Sequence, residues 1–261
     1  MLNYNRAVKP KLALIIITYN EEKNIERAIK SAQELVDEVI VVDSYSEDRT
    51  REIAESLGAK VHLHEWQGYS EQRNYALSLT DAEWVLFLDA DEALSPELKE
   101  EIKEVIIQKT PDYDGFLIPR KNWYLGGWLK CWSPDRLLRL AKKDKITWDG
   151  LVHEKIKLQG PIGKLKKPIL HWPFDSLYHQ YEKNLRYAEL MAKEKYEKRR
   201  KFSILDLIIR PKLNFLKHFL LKGCFIEGIR GLIFSLFYFI YTVQKYSILY
   251  ELWHKRDKKN N

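Results

Sequence analysis

Apolar positions follow two alternating rhythms along the first hundred residues. Residues 12–17 are an unbroken apolar run rich in β-branched side chains, the pattern of a strand buried on both faces. After Asn20-Glu21-Glu22 the period changes: Ile25, Ala28, Ile29 and Ala32 recur at helical spacing, with Asn20 as the expected N-cap and acids in the first turn. The alternation then repeats. Strands are expected over 38–43, 60–64 and 84–88, and helices over 46–57, ending at Gly58, and over 70–79. A βαβαβαβ order predicts a mostly parallel, Rossmann-like α/β sheet with helices on both sides.

The pattern changes at Asp114. Short strands are expected over 115–119, 137–140 and 155–158, among loops rich in Trp, Gly and Pro. Residues 175–200 then read as one long helix, started by Asp175 and Ser176 and striped by Leu177, Tyr181, Leu185, Ala188 and Met191. Between 193 and 222 there are ten Lys and Arg against three acids, interleaved with Phe202, Ile204, Ile208, Phe215 and other large apolar residues. Residues 231–243 carry no charge at all. At about 1.5 Å per residue that segment is shorter than a bilayer core of roughly 30 Å. It is expected to pack in the core, to re-enter, or to lie in a membrane surface, and the cationic and aromatic flanks favour the last. The expected division is an α/β domain over 1–175 and a helical, basic-aromatic, membrane-associating region over 176–261.

Charge sharpens this division. The chain of 261 residues has net charge +7, but residues 1–115 hold 13 Lys and Arg against 24 acids, and residues 116–261 hold 31 against 13. A basic half suits nucleic acid, an anionic membrane or a phosphorylated substrate. No nucleic-acid motif accompanies it, and its aliphatic runs fit a lipid surface better than bases. A helical bundle that packs on the first domain or dimerises is the plainer alternative. The two cysteines, Cys131 and Cys224, have no metal-type spacing. A reducing, cytosolic setting is the simpler expectation, and a single bridge the alternative. No apolar core of signal-peptide length precedes the first strand, so secretion is not expected.

The chemistry concentrates at the ends of the expected strands. Phe87-Leu88-Asp89-Ala90-Asp91-Glu92 places two acids, one residue apart, at a strand tip, where an open α/β sheet binds its ligands. Such acids suit a divalent cation that completes its shell with water and a substrate diphosphate. Residues 18–22 end the first strand, and Asp43 and Ser44 end the second. Asp43 can accept from a base or ribose, or serve as a turn residue. Gly68 opens the helix containing Gln72-Arg73-Asn74, from which Arg73 can reach a diphosphate or base edge or form an ion pair on the helix surface. Trp123, Trp128, Trp132 and Trp148 suit stacking on sugar rings, although buried core aromatics are commoner.

Taken in order and spacing, Thr18-Tyr19-Asn20-Glu21-Glu22, Val41-Val42-Asp43-Ser44, Gln72-Arg73-Asn74 and Leu88-Asp89-Ala90-Asp91-Glu92 resemble the motif series of family 2 glycosyltransferases, over residues 12 to about 172. The resemblance implies a GT-A fold, inverting transfer from a nucleotide sugar, and Mg²⁺ or Mn²⁺ as cofactor. Within that family the second half resembles the lipopolysaccharide-core β-1,4-glucosyltransferase group. Arg136-Leu137-Leu138-Arg139-Leu140, Trp148-Asp149-Gly150-Leu151-Val152-His153-Glu154 and the aromatic C-terminal region carry that likeness.

Carried over residue by residue, the resemblance implies that Asp43 holds a uracil-type base while Thr18, Tyr19, Asn20 and Glu21 line the nucleotide pocket. Arg73 lies near the base or diphosphate, Asp89 meets the ribose or a metal-bound water, and Asp91 binds the metal. The family's Glu-Asp-type base motif is missing at its expected place. Glu154 of His153-Glu154 stands in as general base, with His153, Arg136 and Arg139 as candidates for the diphosphate or acceptor. UDP-glucose is the implied default donor and a lipid-linked saccharide, such as lipopolysaccharide core, the implied acceptor. That places the protein in the cytoplasm, peripheral on the cytoplasmic face of the inner membrane. Two rival classes are a nucleotidyltransferase, which would want a Gly-rich basic phosphate loop that residues 18–22 do not supply, and a non-catalytic nucleotide-sugar-binding or scaffold protein.

Overall fold

A computed structural model describes residues 11–106, 112–132, 135–149 and 155–259. Its elements alternate at first: β1 (Leu12–Thr18), α1 (Ile25–Ala32), β2 (Glu38–Asp43), α2 (Thr50–Ser56), β3 (Lys60–Leu63), α3 (Tyr69–Ser78) and β4 (Trp84–Asp89). Next come β5 (Glu92–Leu94), α4 (Pro96–Ile106), β6 (Gly115–Tyr124), β7 (Gly127–Trp128), β8 (Asp135–Lys142), β9 (Ile146–Asp149), β10 (Lys155–Leu158), β11 (Ile162–Lys164) and β12 (Ile169–His171). The chain ends in α5 (Leu177–Glu197), α6 (Ile204–Leu216) and α7 (Ile229–Lys259). It forms two compact units, one from residues 1–121 and 134–171, the other from 122–133 and 172–261.

The first unit is the α/β sheet. Its main path runs β3-β2-β1-β4-β8-β6-β12-β5. Strands β3, β2, β1 and β4 are parallel to one another, and β8 turns the sheet antiparallel on the far side of β4. Side-chain parity sorts this sheet into two faces. Leu12, Leu14 and Ile16 of β1 join Val39, Val41, Trp84, Leu86 and Leu88 on the face covered by α1 and α4. The intervening Ala13 and Ile15 join Ile40, Val42, Val85 and Phe87 on the face covered by Ala76 and Leu77 of α3. A strand buried on both faces has no polar position to give away, which is why β1 reads as a continuous apolar run. This is the α/β, GT-A-like class that the motif resemblance implied, followed by C-terminal helices.

Three expectations need correction here. The first helix begins at Ile25, not beside Asn20; Asn20 has a left-handed φ of 54° and lies in the loop. Asn tolerates that conformation better than most residues because its short amide bonds locally. Helix α2 likewise starts at Thr50, after a longer loop than expected. Cys131 and Cys224, expected as thiols, form a disulfide with their Cα atoms 5.1 Å apart.

The second unit is mostly helical. Helices α5 and α6 each pack against α7, with Ala192, Tyr246 and Leu249 buried among Tyr196, Phe202, Leu207 and Trp253. Ser176 caps α5, its Oγ accepting from His179 N at 3.0 Å. Residues 122–129 add a hairpin to this unit, tightened by left-handed Leu125 and Gly126, and its Tyr124 and Leu129 pack with Cys224 and Phe234. The uncharged stretch 231–243 also departs from expectation, because it is part of α7, which runs for 31 residues. Its apolar span, Ile229–Lys255, is 27 residues, long and apolar enough by length and composition to cross a membrane.

Leu14 is fully buried in the central strand. Truncating it removes core contacts and leaves a cavity, so Leu14→Ala is expected to lower the unfolding free energy of the α/β unit by about 3 kcal/mol. Urea denaturation followed by tryptophan fluorescence measures the loss.

Candidate active site

The parallel strands deliver the motif residues to one edge. Thr18 at the end of β1 lies in register with Asp43 at the end of β2, and Ile17 lies in register with Asp89 at the end of β4. Strand tips about 4.8 Å apart thus carry Thr18, Asp43 and Asp89 side by side. This is the C-terminal edge of the parallel strands, where ligands of open α/β sheets bind.

The loops leaving β1 and β2 are laced together. Asn20 N donates to Ser46 Oγ at 2.8 Å, and Asn20 Oδ1 accepts from Glu47 N at 2.8 Å. Glu21 N donates to Thr50 Oγ1 at 2.8 Å, and Glu22 N to Asp48 Oδ2 at 3.1 Å. Asp43 is fully buried, and both of its carboxylate oxygens accept from Ser46, one from its backbone N–H and one from its hydroxyl. Its carboxylate therefore shapes the turn after β2, the competing role that its sequence allowed. Tyr19 and Tyr45 are 52% and 56% exposed, one on each loop. Thr18 Oγ1 is buried and makes no hydrogen bond within the described residues.

Each residue of Gln72-Arg73-Asn74 fastens a different element to α3. Gln72 Nε2 donates to Ser44 Oγ at 2.6 Å and to His64 O at 3.0 Å, tying down the tips of β2 and β3. Asn74 exchanges two hydrogen bonds with the backbone of Trp148, at 2.9 and 3.0 Å, and so seats β9 on the helix. Between them, Arg73 Nη2 donates to Asp89 Oδ1 at 2.8 Å while its guanidinium lies over the Trp148 ring, 4.5 Å from the centroid.

Asp89 is one link in an alternating chain of charges. Parity sends it, with Val85 and Phe87, to the α3 face of the sheet, the face that Arg139 shares with Ala141 of β8. Arg139 grips both carboxylate oxygens, at 3.3 and 2.5 Å. The same guanidinium donates to Glu92 Oε1 at 2.9 Å, and Arg120 joins Glu92, at 3.1 Å, to Asp135, at 2.5 Å. Glu92 also accepts from Asp89 N at 3.1 Å. Three guanidinium groups thus meet three carboxylates, and the fork geometry of arginine suits that branching. Burial alone would raise the carboxyl of Asp89, but Arg139 and then Arg73 outweigh it and hold it far below the ordinary carboxylate range. Burial works against the charge of Arg139 too, and Asp89 and Glu92 more than restore it.

Asp91 stands apart from this chain. Its Oδ2 lies 3.4 Å from Nε2 of His171, which β12 places opposite Glu92 of β5. No cluster of three or more His, Cys, Asp or Glu suited to a metal occurs among the described residues. The two donors, one oxygen and one nitrogen, nevertheless fit a cation whose remaining ligands come from a diphosphate and water. Arg136 points elsewhere, donating to Leu165 O at 3.0 Å. His153 and Glu154 lie outside the described residues; the strands on either side pair there, Asp149 opposite Lys155. Trp148 is the tryptophan beside Arg73, whereas Trp123, Trp128 and Trp132 belong to the other unit.

Sequence reasoning missed Glu92, Arg120, Gln72, Asn74 and His171 as parts of the site. Glu92, Gln72 and Asn74 were in view within the motifs, but their partners lie on other elements. His171 had no local signal at all.

Comparisons with known proteins show the family. Residues 13–157, more than half the chain, match the model of Glycosyl transferase family 2. An uncharacterized glycosyltransferase of Rickettsia typhi is 34% identical over 241 residues, spanning 87% of this chain and 82% of the relative. The lipopolysaccharide core biosynthesis glycosyltransferase LpsC of Rhizobium meliloti is 28% identical over 239 residues, spanning 86% and 87%. Among solved structures, S. aureus TarS 1–349 in complex with UDP-GlcNAc is 20% identical, with a TM-score of 0.47 over 89% of this chain and 81% of that one. The chain belongs to glycosyl transferase family 2, an inverting family of enzymes that use nucleotide-sugar donors.

The ionic chain yields a prediction with a sign. Asp89→Asn leaves Arg73 and Arg139 facing a neutral amide, and the expected cost is about 3 kcal/mol at pH 7. That is the low end for a broken buried pair, since the Asp89 side chain is 30% exposed. A depressed folded-state pKa gives stabilisation that is complete above the unfolded value of about 3.9 and is lost as pH falls below it. The stability gap between parent and variant should therefore be constant from about pH 7 to 5 and narrow below about pH 4, as read from urea titrations.

Proposed function

We propose that the protein transfers a hexose, with glucose as the default, from a UDP-sugar to a hydroxyl of a lipid-linked saccharide such as lipopolysaccharide core. The carrying observation is the register that aligns Thr18, Asp43 and Asp89 on one edge, with Asp91 beside His171. The likeness to LpsC, named for lipopolysaccharide core biosynthesis, supports the acceptor class. The working position is the cytoplasmic face of the inner membrane, held peripherally.

In this reading the nucleotide lies across the β1 and β2 tips. Tyr19 offers an exposed ring face to the base, and Thr18, Asn20 and Glu21 line the pocket, while Asp43 acts through Ser46 by holding the second loop in shape. Asp89 faces the ribose and fixes Arg73 and Arg139 beside it. Asp91 and His171 would hold a divalent cation, Mg²⁺ or Mn²⁺, which when bound neutralises charge on the departing diphosphate. Inversion in a single displacement needs one general base for the acceptor hydroxyl, and Glu154 takes that role. His153 stays as a candidate for the diphosphate or acceptor, whereas Arg136 is engaged by Leu165 O.

Two variants test the assignment. Glu154→Gln should lower transfer, or donor hydrolysis in the absence of acceptor, by about a hundredfold or more while UDP affinity stays within twofold. Loss of affinity with unchanged turnover would remove Glu154 from the chemistry. Asp91→Ala should abolish the Mn²⁺ dependence of UDP binding in calorimetry. Binding as tight as the parent's, with the same Mn²⁺ dependence, would move the cation site elsewhere.

A further inference from the structure

The helical unit leaves a large apolar surface uncovered, and it is not where the uncharged stretch of sequence lies. In α6 and the π-type turn that continues it, Lys217–Leu221, the exposed apolar residues are Ile204, Leu205, Ile208, Ile209, Leu213, Leu216, Leu220 and Leu221. Phe225, Ile226 and Ile229 follow, connected through the Phe219–Phe225 contact at 6.3 Å. These eleven side chains are 44–85% exposed. Soluble monomers rarely expose a contiguous apolar patch beyond a few hundred Å², and eleven large side chains at about half exposure or more exceed that. The opposite side of α6 is occupied: Pro211 and His218 are buried, and Asn214 donates to Thr242 Oγ1 of α7 at 2.9 Å.

Charge identifies the occupant. Residues 201–229 contain five cations, Lys201, Arg210, Lys212, Lys217 and Lys222, and two acids, Asp206 and Glu227, of which Glu227 pairs with Arg230. Asp206 is neutralised by Arg200 and Arg210. At 100° per residue Lys212 falls within the apolar sector and Lys217 at its border, where long stems let ammonium groups reach phosphates while the helix sinks among acyl chains. An apolar face rimmed by unneutralised cations fits an anionic lipid surface.

Helix α7 does not fit a span of the bilayer, despite its length. It packs along α5, and drawing it through the hydrocarbon would carry in Lys193, Glu189 and Glu194 of α5. Part of its own apolar surface is already used, with Phe234, Tyr246 and Leu249 buried inside the unit.

We infer that α6 and residues 217–229 form an in-plane membrane-docking face for anionic phospholipid, with α7 as the internal support that holds α6 at the surface. This specifies the membrane partner of the proposed function but rests on none of its chemistry.

The test is co-sedimentation of the full chain with phosphatidylglycerol-containing vesicles and with pure phosphatidylcholine vesicles, at low and high salt. The parent should bind only the anionic vesicles, and high salt should release it. Ile208→Glu/Leu213→Glu should abolish binding, Lys212→Gln/Lys217→Gln should weaken it about fivefold per cation, and Leu236→Glu on α7 should leave it unchanged. Circular dichroism melting checks each fold, and UDP calorimetry on the same variants separates a docking failure from a failure of the donor site. Should the first pair not fold, Leu221→Glu/Ile226→Glu, at the two most exposed positions, makes the same test. Three results would overturn the inference: no binding by the parent, binding indifferent to the apolar substitutions, or parent protein that resists alkaline carbonate as a spanning helix does. A parent dimer that these substitutions split, with no vesicle binding, would reassign the face to a second copy of the chain.

Discussion

The bidentate grip of Arg139 on Asp89 is the interaction on which the α/β unit's site depends. A strand tip that presents acids to a ligand has a difficulty: carboxylates near a buried sheet edge repel one another and lose hydration. The difficulty is met by alternation, Arg73–Asp89–Arg139–Glu92–Arg120–Asp135, each charge meeting an opposite one from a different element. The chain connects α3, β4, β8, β5 and β6, so the loop after β4 cannot move without breaking several pairs. Asp91, two residues beyond Asp89, is thereby given a fixed position next to His171. A fixed position is what the cation-holding role proposed for Asp91 requires, because preorganised charge costs no reorganisation during the reaction.

The second constraint is geometric. Four parallel strands end at one edge, and the loops leaving β1 and β2 bond to each other as well as to the helices that follow them. Asn20 illustrates the trade: its amide accepts from Glu47 and its backbone N–H donates to Ser46, so it holds two loops together instead of capping α1. Tyr19 and Tyr45 stand exposed on these loops, with the buried polar groups Thr18, Asp43 and Ser46 beneath them. Membership of family 2 gives the arrangement its chemical meaning.

Much of this was legible in the amino-acid order, for physical reasons that differ by element. The parallel strands were readable because a doubly buried strand admits few polar residues, as in β1 and β2. The site motifs were readable because strand ends are where polar residues resume. What escaped were relations between distant residues. Arg73 finds Asp89 sixteen positions away and Arg139 finds it from fifty, and no local pattern encodes either meeting. The disulfide joins cysteines 93 residues apart, a pairing that spacing cannot select. Residues 231–243 looked like a separate apolar piece because charge was the only guide, yet packing continues α7 on both sides of them. The basic, apolar character of residues 193–222 was legible, but which side of α6 stays exposed was not, because that depends on its packing against α7.

The central claim is that the nucleotide of the donor lies on the tips of β1 and β2. Photolabelling with a 5-azido-uracil analogue of a UDP-sugar, mapped by peptide mass spectrometry, tests it most directly. The account predicts labelling within residues 18–22 and 43–50, suppressed by excess UDP. Labelling confined to other segments, or insensitive to UDP, would contradict it.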